Sequence, residues 1–159
     1  VFNGPNPQVV SYADEAAEIS AVARWLEQRT RDGVPAHEIA VIVRSQHEVP
    51  RASAALVAAQ IPWRELDEHV DTQAGVAALC TMPLAKGLEF RAVAVMACDD
   101  EVIPLQQRIE SIADDADLEE VYSTERHLLY VAATRARDQL LVTCVVPGSE
   151  FLDDLTAGG

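Results

Sequence analysis

The sequence predicts an α/β protein with a mainly parallel sheet, and three observations predict it. Short, continuous apolar runs recur along the 159 residues, the segments between them carry apolar residues at helical spacing, and 49% of the chain is hydrophobic. The runs at 39–43, 76–81, 92–97 and 140–146 lack polar alternation, which suits strands covered on both faces. Strands of that kind alternating with helices build a layered sandwich. The length predicts one core and one domain over residues 1–159.

The elements follow in order. Asn, Pro and Gly crowd the first dozen residues, a linker that ends in a short strand near Val9 and Val10. Asp14 offers a helix N-cap, and Glu15 and Glu18 place negative charge where the helix dipole favours it. Ala16, Ile19, Val22, Ala23 and Leu26 share one helical face, Arg29 and Arg31 suit the last turn, and Gly33 is a stop. After the 39–43 strand, Pro50 opens a second helix that carries Leu56 and Val57 inward until Pro62. A weak strand near Trp63 precedes the strands at 76–81 and 92–97. An acidic loop is expected over 98–120, with a short helix at Ile109 and Ile112. A helix beginning near Val121 should turn Leu128, Val131 and Ala132 to the sheet. The strand at 140–146 and a turn of helix at 151–155 close the chain.

Composition removes several function classes. The net charge of −14 opposes autonomous nucleic-acid binding, because affinity for DNA rests on cations neutralising phosphates. Nine acids lie between Asp99 and Glu120, opposed by Arg108 alone, so a narrow positive groove elsewhere stays compatible with the total. Cys80, Cys98 and Cys144 are odd in number and widely spaced, which reads as buried thiols in a reducing compartment. No apolar run reaches the roughly 18 residues of a membrane span, so a cytoplasmic chain without membrane contact is expected. His37, His47, His69 and His127 show no metal-ligand spacing, and no metal site is expected. A chain opening on Val1 is expected to be cut from a longer polypeptide, and monomeric.

Two segments carry the chemistry. Ala85-Lys86-Gly87-Leu88-Glu89-Phe90 follows a strand that ends at Thr81, and Lys86 is the one lysine among 12 basic residues. A compact ammonium kept in an arginine-rich chain points to a specific contact, since the two side chains differ in geometry and hydration. The second segment runs from Glu125 through Tyr130-Val131-Ala132-Ala133-Thr134-Arg135-Ala136. Together they resemble motifs V and VI of the UvrD/PcrA/Rep type of superfamily 1 DNA helicases, and Ile42-Val43-Arg44-Ser45 resembles motif IV. The likeness covers most of residues 39–146.

This resemblance implies a RecA-like three-layer sandwich, the second motor domain of an ATP-dependent DNA helicase moving 3′ to 5′. It implies that Glu89 contacts the nucleotide's ribose, that Gly87 and Lys86 lie near its phosphates, and that Thr81 touches the DNA backbone. Arg135 corresponds to an arginine finger on the γ-phosphate, and Arg44 to a second arginine on the same group. The three side chains Arg44, Glu89 and Arg135 are expected to converge on one rim of the sheet, at the carboxyl ends of the strands. ATP with Mg²⁺ is the implied cofactor, and a missing N-terminal RecA-like domain and single-stranded DNA are the implied partners. No G-x-x-x-x-G-K-[ST] occurs, so the phosphate cradle and the metal ligands belong to that other domain. The isolated chain is expected to be inactive.

The sequence departs from the family in three places. Pro83 and Leu84 stand where the family has a histidine and a polar residue, and neither donates a side-chain hydrogen bond. His127 replaces an arginine. About a dozen residues separate Trp63 from Val76, so the family's large inserted subdomain is absent. Two other readings compete with the motor: a non-catalytic RecA-like module for protein contacts, and a receiver-like domain phosphorylated at Asp99 or Asp100.

Overall fold

The computed structural model describes residues 7–69 and 74–157. The expected linker therefore lies largely outside the described residues. Six parallel strands form one sheet in the order β1-β6-β5-β2-β4-β3. They are β1 (Gln8–Tyr12), β2 (Ile39–Val43), β3 (Trp63–Glu65), β4 (Ala77–Thr81), β5 (Phe90–Val95) and β6 (Ala136–Val145). Successive side chains of a strand point to opposite faces. Ile39, Val41 and Val43 accordingly pack in one core, and Ala40 and Ile42 pack in the other. All five residues are fully buried, which is why the run shows no polar alternation.

Helices α1 (Glu15–Arg31) and α2 (Val49–Ala58) cover the first face through Val22, Leu26, Ala52, Ala55 and Leu56. The Asp14 carboxylate caps α1 by accepting from the Ala17 amide at 2.8 Å. At the other end Gly33 adopts φ +92°, and the Val34 amide returns to the Arg29 carbonyl at 3.1 Å. That left-handed residue lets the chain leave the helix with its last carbonyls satisfied.

The second face is covered by α4 (Asp115–Ala133), preceded by the short α3 (Gln106–Glu110) and followed after β6 by α5 (Leu152–Ala157). Two expectations are corrected here. The helix expected near Val121 begins six residues earlier, where Asp114 caps it by accepting from the Asp117 amide at 2.9 Å. Its acids, Asp115 and Asp117, lie in the first turn, where the dipole welcomes them, so much of the supposed acidic loop is helix. The buried stripe is Glu125, Leu129, Ala132 and Ala133, so Ala132 faces the sheet as expected, while Leu128 packs at its margin half-buried and Val131 lies outside it. A buried carboxylate, which periodicity of apolar residues overlooks, fixes the rotation.

All strands run the same way, so the sheet has an amino rim and a carboxyl rim. The link from β4 to β5 must return from one to the other, across the strand β2 that lies between them. Residues 82–89 do so over the α4 face in a short 3-10 turn (Met82–Leu84) and a bend at Gly87. Residues 66–76 join β3 to β4, and Val70–Gln73 among them lie outside the described residues.

Candidate functional site

Glu89 is the last residue before β5, and Arg135 the last before β6. Phe90 pairs with Ala136 in the sheet, which sets the two side by side on the amino rim. The Phe90 amide donates to the Arg135 carbonyl at 2.9 Å. The Arg135 guanidinium in turn donates to the Leu88 carbonyl at 3.1 Å, to the Val131 carbonyl at 2.9 Å and to Thr134 Oγ1 at 3.1 Å. These bonds hold the planar cation at the end of α4, and a guanidinium has donors beyond the three in use. Its neighbour Glu89 is exposed, with 66% of its side chain open to solvent.

Both line an open cleft of about 730 Å³, together with Leu88, Tyr130, Arg137 and Leu155. Tyr130 is an exposed aromatic at its lip. Arg137 was not singled out from sequence, although it follows Arg135 by two residues. It reaches Glu89 at 3.7 Å, Glu38 at 3.7 Å and Asp138 at 3.5 Å. Arg91 adds ion pairs to Asp138 at 3.0 Å and Glu38 at 3.6 Å. Pairs this exposed contribute little stability, and the charge of Arg137, which lines the cleft, is offset by the carboxylates around it.

Lys86 and Gly87 sit on the return connection, and both are exposed. Gly87 has φ +85°, and a Cβ built on it would meet nothing within 4 Å. The glycine is thus required by its left-handed backbone, not by close contact within the domain. Lys86 forms no ion pair with another described residue.

Arg44 does not join this group, and the expected convergence of three side chains is corrected to two. Arg44 follows the carboxyl end of β2, on the rim opposite Arg135. At about 3.3 Å per strand residue, the rims stand on the order of 15–20 Å apart. Arg44 is also consumed. It is 6% exposed and gives Glu125 two parallel hydrogen bonds, Nε to Oε1 at 2.8 Å and Nη2 to Oε2 at 2.7 Å. An arginine after an apolar strand can face in or out, and only Glu125, 81 residues away, decides it. The expectation that Glu89 and Arg135 lie at the carboxyl ends of the strands is corrected likewise. Thr81 ends β4 there, buried, whereas Glu89 has already crossed to the amino rim.

The charged groups of the carboxyl rim are engaged with one another inside the domain. Glu125, fully buried, accepts from Arg108 at 2.7 Å and the Leu105 amide at 2.8 Å as well as from Arg44. Burial alone would raise its carboxyl pKa, but these donors, Arg44 foremost, hold it below the ordinary value. Glu18 accepts from Thr143 Oγ1 at 2.8 Å, from the Ala97 amide at 2.9 Å and from Arg51. Arg51 also holds Asp99 at 2.8 Å, and Asp99 accepts from the Val145 amide at 2.7 Å. Asp99 is a structural acceptor in that network, which speaks against it as the phosphorylated residue of the receiver-like reading. Among the described residues no group of three or more His, Cys, Asp or Glu is placed to hold a metal ion. No described helix is long and apolar enough to cross a membrane.

Comparison with known proteins shows the family of the chain. Residues 64–146 match the family model of the UvrD-like helicase C-terminal domain. The chain belongs to that family. It is 44% identical over 79 residues to an ATP-dependent DNA helicase PcrA of Staphylococcus epidermidis, a match covering 50% of this chain and 10% of the relative. It is 33% identical over 87 residues to the ATP-dependent DNA helicase UvrD1 of Mycobacterium leprae, covering 55% of this chain and 10% of that protein. The chain thus spans about a tenth of the length of these curated relatives. A crystal structure of the C-terminal domain of a "possible DNA helicase" from Lactobacillus plantarum superimposes with a TM-score of 0.70 at 25% identity, over 94% of this chain and 80% of that one. The α/β sheet with helices on both faces is the fold of this UvrD-like C-terminal domain.

Proposed function

We propose that this domain is the second motor domain of an ATP-dependent DNA helicase, and that its amino rim completes an ATP site whose phosphate cradle and Mg²⁺ ligands belong to an N-terminal RecA-like domain. The observation that carries this reading is the adjacency of Glu89 and Arg135 on one cleft, held by the Phe90–Arg135 and Arg135–Leu88 backbone bonds. ATP suits that pair. Glu89 is an exposed acceptor for ribose hydroxyls, and Arg135 is a pre-oriented cation for the terminal phosphate. The cation stabilises charge that spreads over the phosphoryl oxygens at the transition state. Lys86 and the open side of Gly87 would border the same phosphates.

Single-stranded DNA would run over the other rim, where Thr81, buried at the end of β4, offers it little side-chain surface. The acids of that rim, with the chain's charge of −14, oppose DNA, so the rest of the polypeptide must supply most of the cationic contact. Cleft closure on ATP and opening after hydrolysis would step the two domains along the strand, in the 3′-to-5′ direction that the family resemblance implies. The chain alone, as a cytoplasmic monomer, would hydrolyse no ATP.

The test uses the full-length protein that carries this domain. Arg135→Ala should lower steady-state ATP turnover by at least about a hundredfold, and abolish ATP-dependent unwinding, within the range of arginine fingers. Near-normal turnover and unwinding in that variant would refute the reading.

A further inference from the structure

We propose that Glu125 is a positioning residue for Arg135: its buried four-donor carboxylate fixes the axial seat of α4 on the sheet and so the placement of the guanidinium in the cleft. This rests on the reading of Arg135 as the residue facing the terminal phosphate. The buried stripe of α4 is Glu125, Leu129, Ala132 and Ala133. Apolar contacts are non-directional, and two of the three apolar members are alanines, so they resist lateral separation better than sliding. Glu125 supplies what they lack. Its two oxygens accept from two separate segments, Arg44 at the end of β2, and α3 through the amide of its N-cap Leu105 and through Arg108, all between 2.7 and 2.8 Å.

A fully buried carboxylate is not the most stabilising choice for that seat, because a well-packed apolar residue usually does as well. Directional bonds give it a definite register instead. From Glu125 the helix runs eight residues to Ala133, roughly 12 Å at 1.5 Å per residue, and transmits an axial shift nearly undiminished to Arg135 two residues beyond its end. Its Nε bonds the Val131 carbonyl of the helix while an Nη bonds the Leu88 carbonyl of the β4–β5 connection, so the guanidinium bridges the two and its placement depends on where α4 sits against that connection. Misplacement of a catalytic group by about 1 Å costs on the order of a hundredfold in rate.

The experiment is a double-mutant cycle on ATP turnover in the full-length protein, with Glu125→Gln and Arg135→Ala alone and together. Glu125→Gln keeps the side chain's size and removes the charge. We expect it to lower kcat by about ten- to a hundredfold at unchanged KM, and to have less than about a twofold effect when Arg135 is already alanine. Equal fold-losses in both backgrounds would mean a merely structural residue and overturn the proposal. So would an unchanged kcat in Glu125→Gln beside a large loss in Arg135→Ala. A normal rate in Arg135→Ala would instead remove the finger reading on which the proposal stands. If Glu125→Gln does not fold, Arg108→Gln removes one donor from a half-exposed position, and a kcat loss confined to the Arg135 background decides in the same way.

Discussion

Replacing Arg44 by alanine separates a structural arginine from a phosphate-binding one. In the structure it fills two acceptor positions of a fully buried carboxylate, at 2.7 and 2.8 Å, and is itself 6% exposed. Removing one partner of a buried pair costs about 3–5 kcal/mol, because the other charge is left uncompensated. Arg108 and the Leu105 amide remain on Glu125, so the loss here should be about 2–4 kcal/mol. For a chain of this size each kcal/mol lowers the melting midpoint by about 2–4 °C, so the fall should be about 5–15 °C. Thermal unfolding of the 159-residue chain by circular dichroism measures it. ATP affinity of the folded full-length protein should stay unchanged. A midpoint within about 2 °C of wild type, together with weakened ATP binding, would refute the structural role and return Arg44 to the nucleotide.

Glu89→Ala should raise the KM for ATP by about tenfold with a smaller effect on kcat, as expected for a lost hydrogen bond of about 1.4 kcal/mol to the ribose; steady-state kinetics check it. The lowered pKa of Glu125 makes stability depend on pH in one direction. The contribution is present above the unfolded carboxyl value of about 4.3 and is lost as pH falls through the lower folded value. The melting midpoint should therefore drop more steeply as pH falls below about 4.3 in the wild type than in Glu125→Gln. Burial pushes the Cys80 thiol up to about 12 and raises Cys98 and Cys144 as well, Cys98 strongly. A disulfide reagent at neutral pH should label none of the three in the folded chain and all of them after unfolding.

The strands were legible because residues such as 39–43 are buried on both faces, and α1 because its cap, dipole charges and stop all agree. The start of α4 was not, since a run of acids reads equally as a solvated loop or as a helix N-terminus; Asp114 decides between them by a bond that composition does not express. The pairing of Glu89 with Arg135 was legible as motif order. Their rim was not, because it follows from the direction in which the β4–β5 connection crosses the sheet. Arg44 shows the limit most clearly. Its apolar strand predicts where the backbone goes, but its partner Glu125 comes from a helix far along the chain, on a face that apolar periodicity assigned to Leu128 and Val131.

The chemical step at the cleft is where Arg135 is proposed to act. Single-turnover hydrolysis of ATP pre-bound to the full-length protein, wild type against Arg135→Ala, isolates that step from binding and product release. The predicted result is ATP affinity within about fivefold of wild type and a hydrolysis rate lower by about 10³ or more, roughly 4 kcal/mol of lost transition-state stabilisation. A single-turnover rate within about threefold of wild type, with ATP demonstrably bound, would contradict it.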